Sequence, residues 1–430
     1  AVPKLYHLNL TINQHLNLLT KIQNSRVKKQ FLRLLKRKRF ATLLIDSTER
    51  VSYYKYILKY TFITRMEFLC PNFYDSTLKL MKTFFRTQRL KSVKFKIPLY
   101  HPEANLIKMM SYVLRQKLLQ SFEIDFYPPK NKGHYSRLSK NSTQIICSVL
   151  KRLPSLESIK LNSFLWVDSE GREIYLKFMS EILSRGRVLD TKISFWSSDE
   201  VEALTKSLKQ DLAKPILISL SMNYRAGFSS EVRFMEYLSC FPQLQSLIIV
   251  IEKDYQHRIH WELFGKCLLG ISLLKELRIK SHYLEEPKNA QLKSSAVIYQ
   301  YLTGLAKLEI LDLDFPYQIL GDQILEISSL ESLTHLRLKV ESFSHHVFSG
   351  LFYSFGSMKL LSSLALYSND IQSSKILIES QRIANTHKFQ TLISLQLLFP
   401  EVSLDSVSSK NLVQHLSTMK KIQFLTLDLC

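Results

Sequence analysis

One hydrophobic pattern recurs along the whole chain: an apolar residue, a second three positions later, and a third two positions after that. A clear copy consists of Leu308, Leu311 and Leu313. Residues two apart share one face of a β-strand, so each copy predicts a short strand around its second apolar residue. These second residues, which we call markers, are Leu8, Leu43, Met66, Val93, Phe122, Ile159, Ile193, Leu220, Leu247, Leu277, Leu311, Leu336, Leu364, Leu395 and Leu425.

The segments between the predicted strands have a different period. Before Leu247, for example, apolar residues recur at helical spacing as Tyr237, Leu238 and Phe241, and Pro242 ends the segment. Each unit of about thirty residues is therefore predicted to be a strand, a loop, a helix and a turn. One such unit cannot bury its own apolar face, whereas stacked units share a core. The pattern predicts a single α/β solenoid over residues 1–430, with a parallel sheet on its concave face and helices on its convex face.

The repeated motif and the long, helix-bearing units resemble the leucine-rich-repeat family, and in particular its intracellular, ribonuclease-inhibitor-like branch. The resemblance covers the whole chain. It implies a horseshoe of about fifteen repeats that binds other macromolecules through its concave sheet. The Asn or Cys that this family places three residues after the third apolar position appears as Asn13 and Asn369 but is replaced in most units. No polar capping unit follows the last motif, so further chain or a partner is expected to cover that edge.

Positive charge is concentrated at the start of the chain. The formal net charge is +22, and residues 1–100 hold 21 of the 59 Lys and Arg but only 4 of the 37 Asp and Glu. Eight cations without an intervening acid lie on a predicted amphipathic helix of the convex side: Arg26, Lys28, Lys29, Arg33, Lys36, Arg37, Lys38 and Arg39. One interpretation is a solvated helix face. The interpretation we favour is a binding site for an anionic partner, either nucleic-acid backbone, an acidic protein surface or anionic lipid headgroups.

The concave face can be predicted residue by residue, because the positions that follow the second and third apolar residues point to it. The candidate partner-binding residues there are Lys94, Lys96, Lys160, Trp196, Arg278, Lys280, Asp312, Asp314, Arg337, Lys339 and Tyr367. Charges of opposite sign alternate from unit to unit, whereas a nucleic-acid surface should be uniformly basic. A mixed-charge protein partner is one interpretation. The other is that neighbouring strands merely pair opposite charges across the sheet.

No motif for catalysis or cofactor binding is present. The chain contains no GxxxxGK[ST], GxGxxG or GxSxG sequence, and its histidines have no companion ligands at metal-binding spacing. We therefore predict no enzyme activity, no cofactor, no metal and no small-molecule substrate. Five scattered cysteines predict an intracellular, reducing compartment: the cytoplasm or, as the alternative, the mitochondrion, since no acid precedes Asp46. No apolar run approaches the length of a transmembrane segment.

These patterns predict a non-catalytic protein-interaction scaffold, an architectural subunit of a larger assembly. A protein partner is expected on the concave sheet, and an anionic partner, either RNA or an acidic protein surface, on the basic first hundred residues. The alternative is an RNA-associated subunit of a ribonucleoprotein such as an organellar ribosome.

Overall fold

The computed structural model describes residues 10–11, 39–46, 62–69, 75–98, 103–127, 138–162, 168–195, 198–210, 215–224, 236–251, 261–281, 298–320, 322–343, 354–356, 358–371, 391–399, 416–417 and 419–429. The chain divides into two compact units, Ala1–Ser194 and Phe195–Cys430. The single solenoid over residues 1–430 stays a prediction.

The first unit is built from parallel strands that pair in chain order, with helices between them. The strands are β1 (Leu10–Thr11), β2 (Arg39–Asp46), β3 (Phe62–Leu69), β4 (Ser92–Pro98), β5 (Ser121–Tyr127), β6 (Ser158–Asn162) and β7 (Asp190–Phe195). The helices are α1 (Asp75–Thr87), α2 (Glu103–Val113), α3 (Lys140–Lys151) and α4 (Ser169–Ser184).

The second unit repeats this arrangement, again with parallel strands in chain order. Its strands are β8 (Ser219–Tyr224), β9 (Ser246–Ile251), β10 (Glu276–Ser281), β11 (Ile310–Leu320), β12 (His335–Phe343), β13 (Ser363–Ile371), β14 (Ser394–Phe399) and β15 (Phe424–Leu429). Its helices are α5 (Ser198–Gln210), α6 (Trp261–Leu269), α7 (Ile298–Leu302) and a 3-10 helix (Asp322–Ser329).

The alternation along each strand separates a buried face of the sheet from an open one. In β9, Leu247 and Ile249 are buried while Ile248 and Val250 are half-exposed. In the first unit, helix α1 supplies the cover for the buried face, because Phe68 of β3 stacks on Phe85 at a ring distance of 6.1 Å. We call the opposite face, which carries the residues that follow the second and third apolar positions, the open face.

A repeated backbone contact holds each coil against the next. The carbonyl oxygen two positions before a marker accepts hydrogen bonds from two consecutive N–H groups of the following coil. Lys275 O, for example, accepts from Glu309 N at 2.7 Å and from Ile310 N at 2.9 Å. Because buried backbone groups need partners, this contact fixes the register at one strand per coil.

A buried glutamine adds a second lock between coils. Gln116 follows helix α2 and is 6% exposed. Its Nε2 donates to the carbonyl of Phe85 at 2.5 Å, and its Oε1 accepts from the N–H of Leu90 at 3.0 Å. Both groups belong to the preceding coil: Phe85 lies in the last turn of α1, and Leu90 lies in the connection between α1 and β4. The amide therefore satisfies two backbone groups that no water reaches.

Thirteen of the fifteen predicted markers are confirmed by the strand register, and two are wrong. Leu43 pairs with Leu10, so the first marker is Leu10 and not Leu8. Ile159 pairs with Thr191, so the seventh marker is Thr191 and not Ile193. Thr191 takes an apolar position because its hydroxyl, although buried, donates to the carbonyl of Ile159 at 2.9 Å.

The corrected register also changes the prediction for the open face of β7. Its positions there become Lys192 and Ser194, in place of Ser194 and Trp196. Lys192 is half-exposed, whereas Ser194 is buried. Trp196 itself lies outside the described residues, so its contact with a partner stays a prediction.

Candidate protein-binding face

The structure places ten of the eleven predicted partner-binding residues at open-face positions. They are Lys94 and Lys96 in β4, Lys160 in β6, Arg278 and Lys280 in β10, Asp312 and Asp314 in β11, Arg337 and Lys339 in β12, and Tyr367 in β13. The predicted anionic-partner residues Arg26, Lys28, Lys29, Arg33, Lys36, Arg37 and Lys38 lie outside the described residues. Arg39 begins β2, and its side chain is not among those described.

In the first unit, the open-face charges pair with one another. The register places Lys94 between Glu67 and Glu123, and its Nζ lies 3.1 Å from Glu123 Oε1 and 3.9 Å from Glu67 Oε1. Lys160 Nζ lies 2.7 Å from Asp190 Oδ2. Partial burial by itself lowers the pKa of Lys94. The hydrogen bond and the charge of Glu123 raise this pKa by a larger amount, so it lies above its ordinary value. The bridges satisfy these lysines and, being partly exposed, contribute at most about 1 kcal/mol each.

The second unit holds a denser group of charges, the β10–β12 cluster, which consists of Arg278, Lys280, Asp312, Asp314, Arg337 and Lys339. The register aligns Arg278, Asp312 and Arg337 in one row across the sheet and Lys280, Asp314 and Lys339 in the next. Arg337 Nη1 donates to Asp312 Oδ1 at 2.9 Å, and Lys339 Nζ lies 3.3 Å from Asp314 Oδ1. Cations thus flank a central pair of acids.

The two signs of charge lie at different depths in the β10–β12 cluster. The side chains of Asp312 and Asp314 are 6% and 12% exposed, whereas those of Arg337 and Lys339 are 32% and 37% exposed. Lys94 and Glu123 in the first unit differ much less, at 33% and 23%. An approaching molecule therefore meets the cations of β12 before it meets the acids of β11. The neighbouring cations also compensate the negative charges of the two buried aspartates.

Arg337 is held on two sides. Its guanidinium carbon lies 4.8 Å from the ring centroid of Tyr367, and the Tyr367 hydroxyl donates to Gln396 Oε1 at 2.9 Å. Partial burial by itself lowers the pKa of Arg337. The charge of Asp312 and hydrogen bonds to Tyr367 and Asp312 raise this pKa by a larger amount, so it lies above its ordinary value. The ring and the acid together fix the planar group and keep it charged. Neither the stacking nor the role of Gln396 could be predicted from the sequence, because both are contacts between neighbouring coils.

Uncharged side chains flank the β10–β12 cluster on both sides. Ile248 and Val250 of β9 lie half-exposed on one side, and Leu398 of β14 lies half-exposed beyond Tyr367 on the other. Protein interfaces combine apolar and aromatic surface with arginine in this way. The open face of the second unit therefore has a charged centre between apolar margins, in contrast to the ion-pair ladder of the first unit.

Two observations concern metal ligands and cysteine nucleophiles among the described residues. No group of three His, Cys, Asp or Glu among them could hold a metal ion. Burial raises the pKa of Cys147, and likewise that of Cys267, to about 12, so these thiols stay protonated and are poor nucleophiles. No helix within the described ranges combines the length and apolarity needed to cross a membrane.

Comparison with known proteins identifies the fold. No family model and no curated protein matches the chain. A chain in the crystal structure of the Rad7 and Elc1 complex from yeast is 13% identical, with a TM-score of 0.50 over 90% of this chain and 87% of that one. An internalin from Listeria monocytogenes is 12% identical, with a TM-score of 0.36 over 89% and 92% of the two chains.

A chain from the TLR13 complex with the RNA ssRNA13 is 11% identical, with a TM-score of 0.34 over 85% of this chain and 57% of that one. At such identities a likeness concerns the fold alone. The likeness to the chain of the Rad7 and Elc1 complex, together with the parallel strands and alternating helices of each unit, shows a leucine-rich-repeat solenoid fold. The ribonuclease-inhibitor-like branch stays a prediction.

Proposed function

We propose that this protein is a non-catalytic protein-interaction scaffold, an architectural subunit of a larger intracellular assembly, which binds a protein partner on the open face of its second unit. The observation that carries the proposal is the composition of that face: a charged centre, a fixed arginine and tyrosine, and apolar margins. Arginine and aromatic residues dominate the binding energy of protein interfaces.

The protonation states on the open face favour binding over reaction. General bases and nucleophiles need pKa values shifted toward neutrality. The pKa values of Lys94 and Arg337 are instead shifted upward, which keeps both groups charged. Such groups recognise a partner by charge and do not exchange protons near neutral pH.

A photo-cross-linking experiment in cells tests the proposal. A photoreactive amino acid replaces Val250 or Gln396 on the open face, and Lys266, an exposed residue of helix α6, serves as the control. We expect cross-links to another protein from the open-face positions and not from the control. Cross-links from the control position alone, or none from either open-face position, would contradict the proposal.

The second part of the proposal concerns the basic N-terminal repeats, which we expect to bind an anionic partner. It rests on the charge of residues 1–100. The alternative function, an RNA-associated subunit of a ribonucleoprotein such as an organellar ribosome, draws on the same observation. The alternating charges on the open face of the first unit favour a protein scaffold over that alternative, because phosphate neutralisation needs a surface of one sign.

Binding to generic single-stranded RNA across a salt series separates these two functions. The comparison uses the wild type and a variant in which the cations from Arg26 to Arg39 are replaced with glutamine. A steep salt dependence that disappears in the variant would support the RNA-associated function. Absence of binding at moderate salt would count against it.

A further inference from the structure

We infer that the protein partner presents an acidic segment, in which two carboxylates flanked by apolar side chains meet the β10–β12 cluster. The inference rests on the proposed function and specifies the chemistry of the partner. It follows from the depth of the charges: Asp312 and Asp314 lie almost buried, and the cations beside them in β12 remain about one-third exposed.

The spacing of the cations fits an extended peptide. Adjacent strands lie about 4.8 Å apart, and residues two apart in a strand are separated by about 7 Å. The Cα atoms of the four residues that carry the cations of β10 and β12 therefore mark the corners of a rectangle of about 10 by 7 Å. Alternate residues of an extended peptide are also about 7 Å apart. Two carboxylates on one side of such a peptide can therefore reach Arg337 and Lys339 together.

Part of the hydrogen-bonding capacity of the cluster is unused within the described residues. The ammonium group of Lys280 makes no hydrogen bond or ion pair with any residue that the structure describes, although Lys280 is in register with Asp314. Lys339 Nζ lies 3.3 Å from Asp314 Oδ1, yet that oxygen accepts no hydrogen bond from any described residue. Carboxylates from a partner would accept charge-assisted hydrogen bonds from these ammonium groups.

Arg337 is arranged in advance for such a contact. Asp312 binds one of its nitrogens and the Tyr367 ring lies against its plane, so the side chain loses little further freedom when a partner binds. The buried acids also offset the mutual repulsion of the surrounding cations. We therefore treat Asp312 and Tyr367 as positioning residues for Arg337.

A protein segment fits the cluster better than a nucleic-acid backbone. The cluster has four cations and two acids, and Glu276 Oε1 already pairs with Arg278 Nε at 2.6 Å, so the surface is only moderately positive. The strands beside it present Ile248, Val250 and Leu398, and not the further cations that a phosphate track would require. Apolar side chains next to the acidic residues of a peptide would pack on these margins and exclude water from the ion pairs.

A displayed library of random dodecapeptides tests the inference on the full chain. We expect selection to enrich peptides with two Asp or Glu residues near apolar residues. The Arg337→Gln, Lys339→Gln double variant should bind these peptides about tenfold more weakly or worse, and replacement of their acids with Asn or Gln should have a similar effect. The Lys206→Gln, Lys266→Gln double variant, which removes two exposed cations of helices α5 and α6, should leave the affinity unchanged.

Several results would overturn the inference: enriched peptides without acids, acidic peptides that bind the Arg337→Gln, Lys339→Gln variant normally, displacement by poly(U) RNA in preference to peptide, or no enrichment at all. Circular dichroism melts of both double variants verify that the fold is intact. The two proposals fail separately. Non-acidic peptides that cross-link at Val250 would remove the inference and keep the scaffold function, whereas absence of any protein cross-link in cells would remove the scaffold function itself.

Discussion

Replacement of Gln116 with methionine should destabilise the first unit, because this side chain joins two coils from a buried position. Gln116 binds the carbonyl of Phe85 and the N–H of Leu90, which lie 31 and 26 residues earlier in the chain. Methionine has nearly the same volume and can occupy the same space. The substitution therefore removes two hydrogen bonds without creating a large cavity.

The expected magnitude follows from the two backbone groups that lose their partner. Each buried, unsatisfied polar group costs about 1–3 kcal/mol, so the loss of both partners should lower the free energy of unfolding by about 2–6 kcal/mol. A loss of this size is a large fraction of the stability of an ordinary domain, which is about 5–15 kcal/mol. The effect should be local as well, since the freed N–H of Leu90 would exchange with solvent more rapidly.

Urea denaturation followed by circular dichroism measures the global loss, and hydrogen exchange read by mass spectrometry measures the protection of the segment around Leu90. Gln243→Met is the matched control, because Gln243 occupies an exposed turn before a strand of the second unit. The reasoning is refuted if Gln116→Met stays within about 0.5 kcal/mol of the wild type and the exchange at Leu90 is unchanged.

Two further predictions concern packing and pH. In Gly265→Ala the new Cβ would lie 2.8 Å from Cβ of Tyr301, an atom that is bonded to the backbone and cannot move without it. Helices α6 and α7 must therefore separate, which should lower the free energy of unfolding by about 1–3 kcal/mol. In Gly304→Ala the new Cβ meets mainly the flexible end of the Leu269 side chain, so this variant should have a higher melting temperature than Gly265→Ala. The opposite order of melting temperatures would contradict the argument. Burial raises the pKa of Cys147 from 9.0 to about 12, so the stability that its neutral thiol contributes is complete below pH 9 and is lost as the pH rises toward 12. The measurement is urea denaturation under reducing conditions. The difference in free energy of unfolding between the wild type and Cys147→Ala should shrink between about pH 8 and about pH 10.5, and a difference that stays constant would refute this prediction.

The strands were predictable because burial with a period of two leaves a direct trace in the sequence. Leu336 and Leu338 are buried in β12 and Arg337 is not, as the alternation requires. The register contradicts two markers, Leu8 and Ile193. Pairing with a neighbouring strand sets the register. A buried hydroxyl that has a local hydrogen-bond partner can also occupy a position otherwise held by an apolar residue. The pattern of apolar residues alone therefore does not always identify the marker.

The sequence by itself determined the repeat, the strand positions and the identity of most open-face residues, because these depend on local periodicity. The tertiary structure decided how deeply Asp312 and Arg337 lie, that Tyr367 supports the guanidinium, and that Gln116 binds the preceding coil. Each of these contacts joins residues more than twenty positions apart. Their geometry depends on how neighbouring coils pack, which no local pattern of side chains encodes.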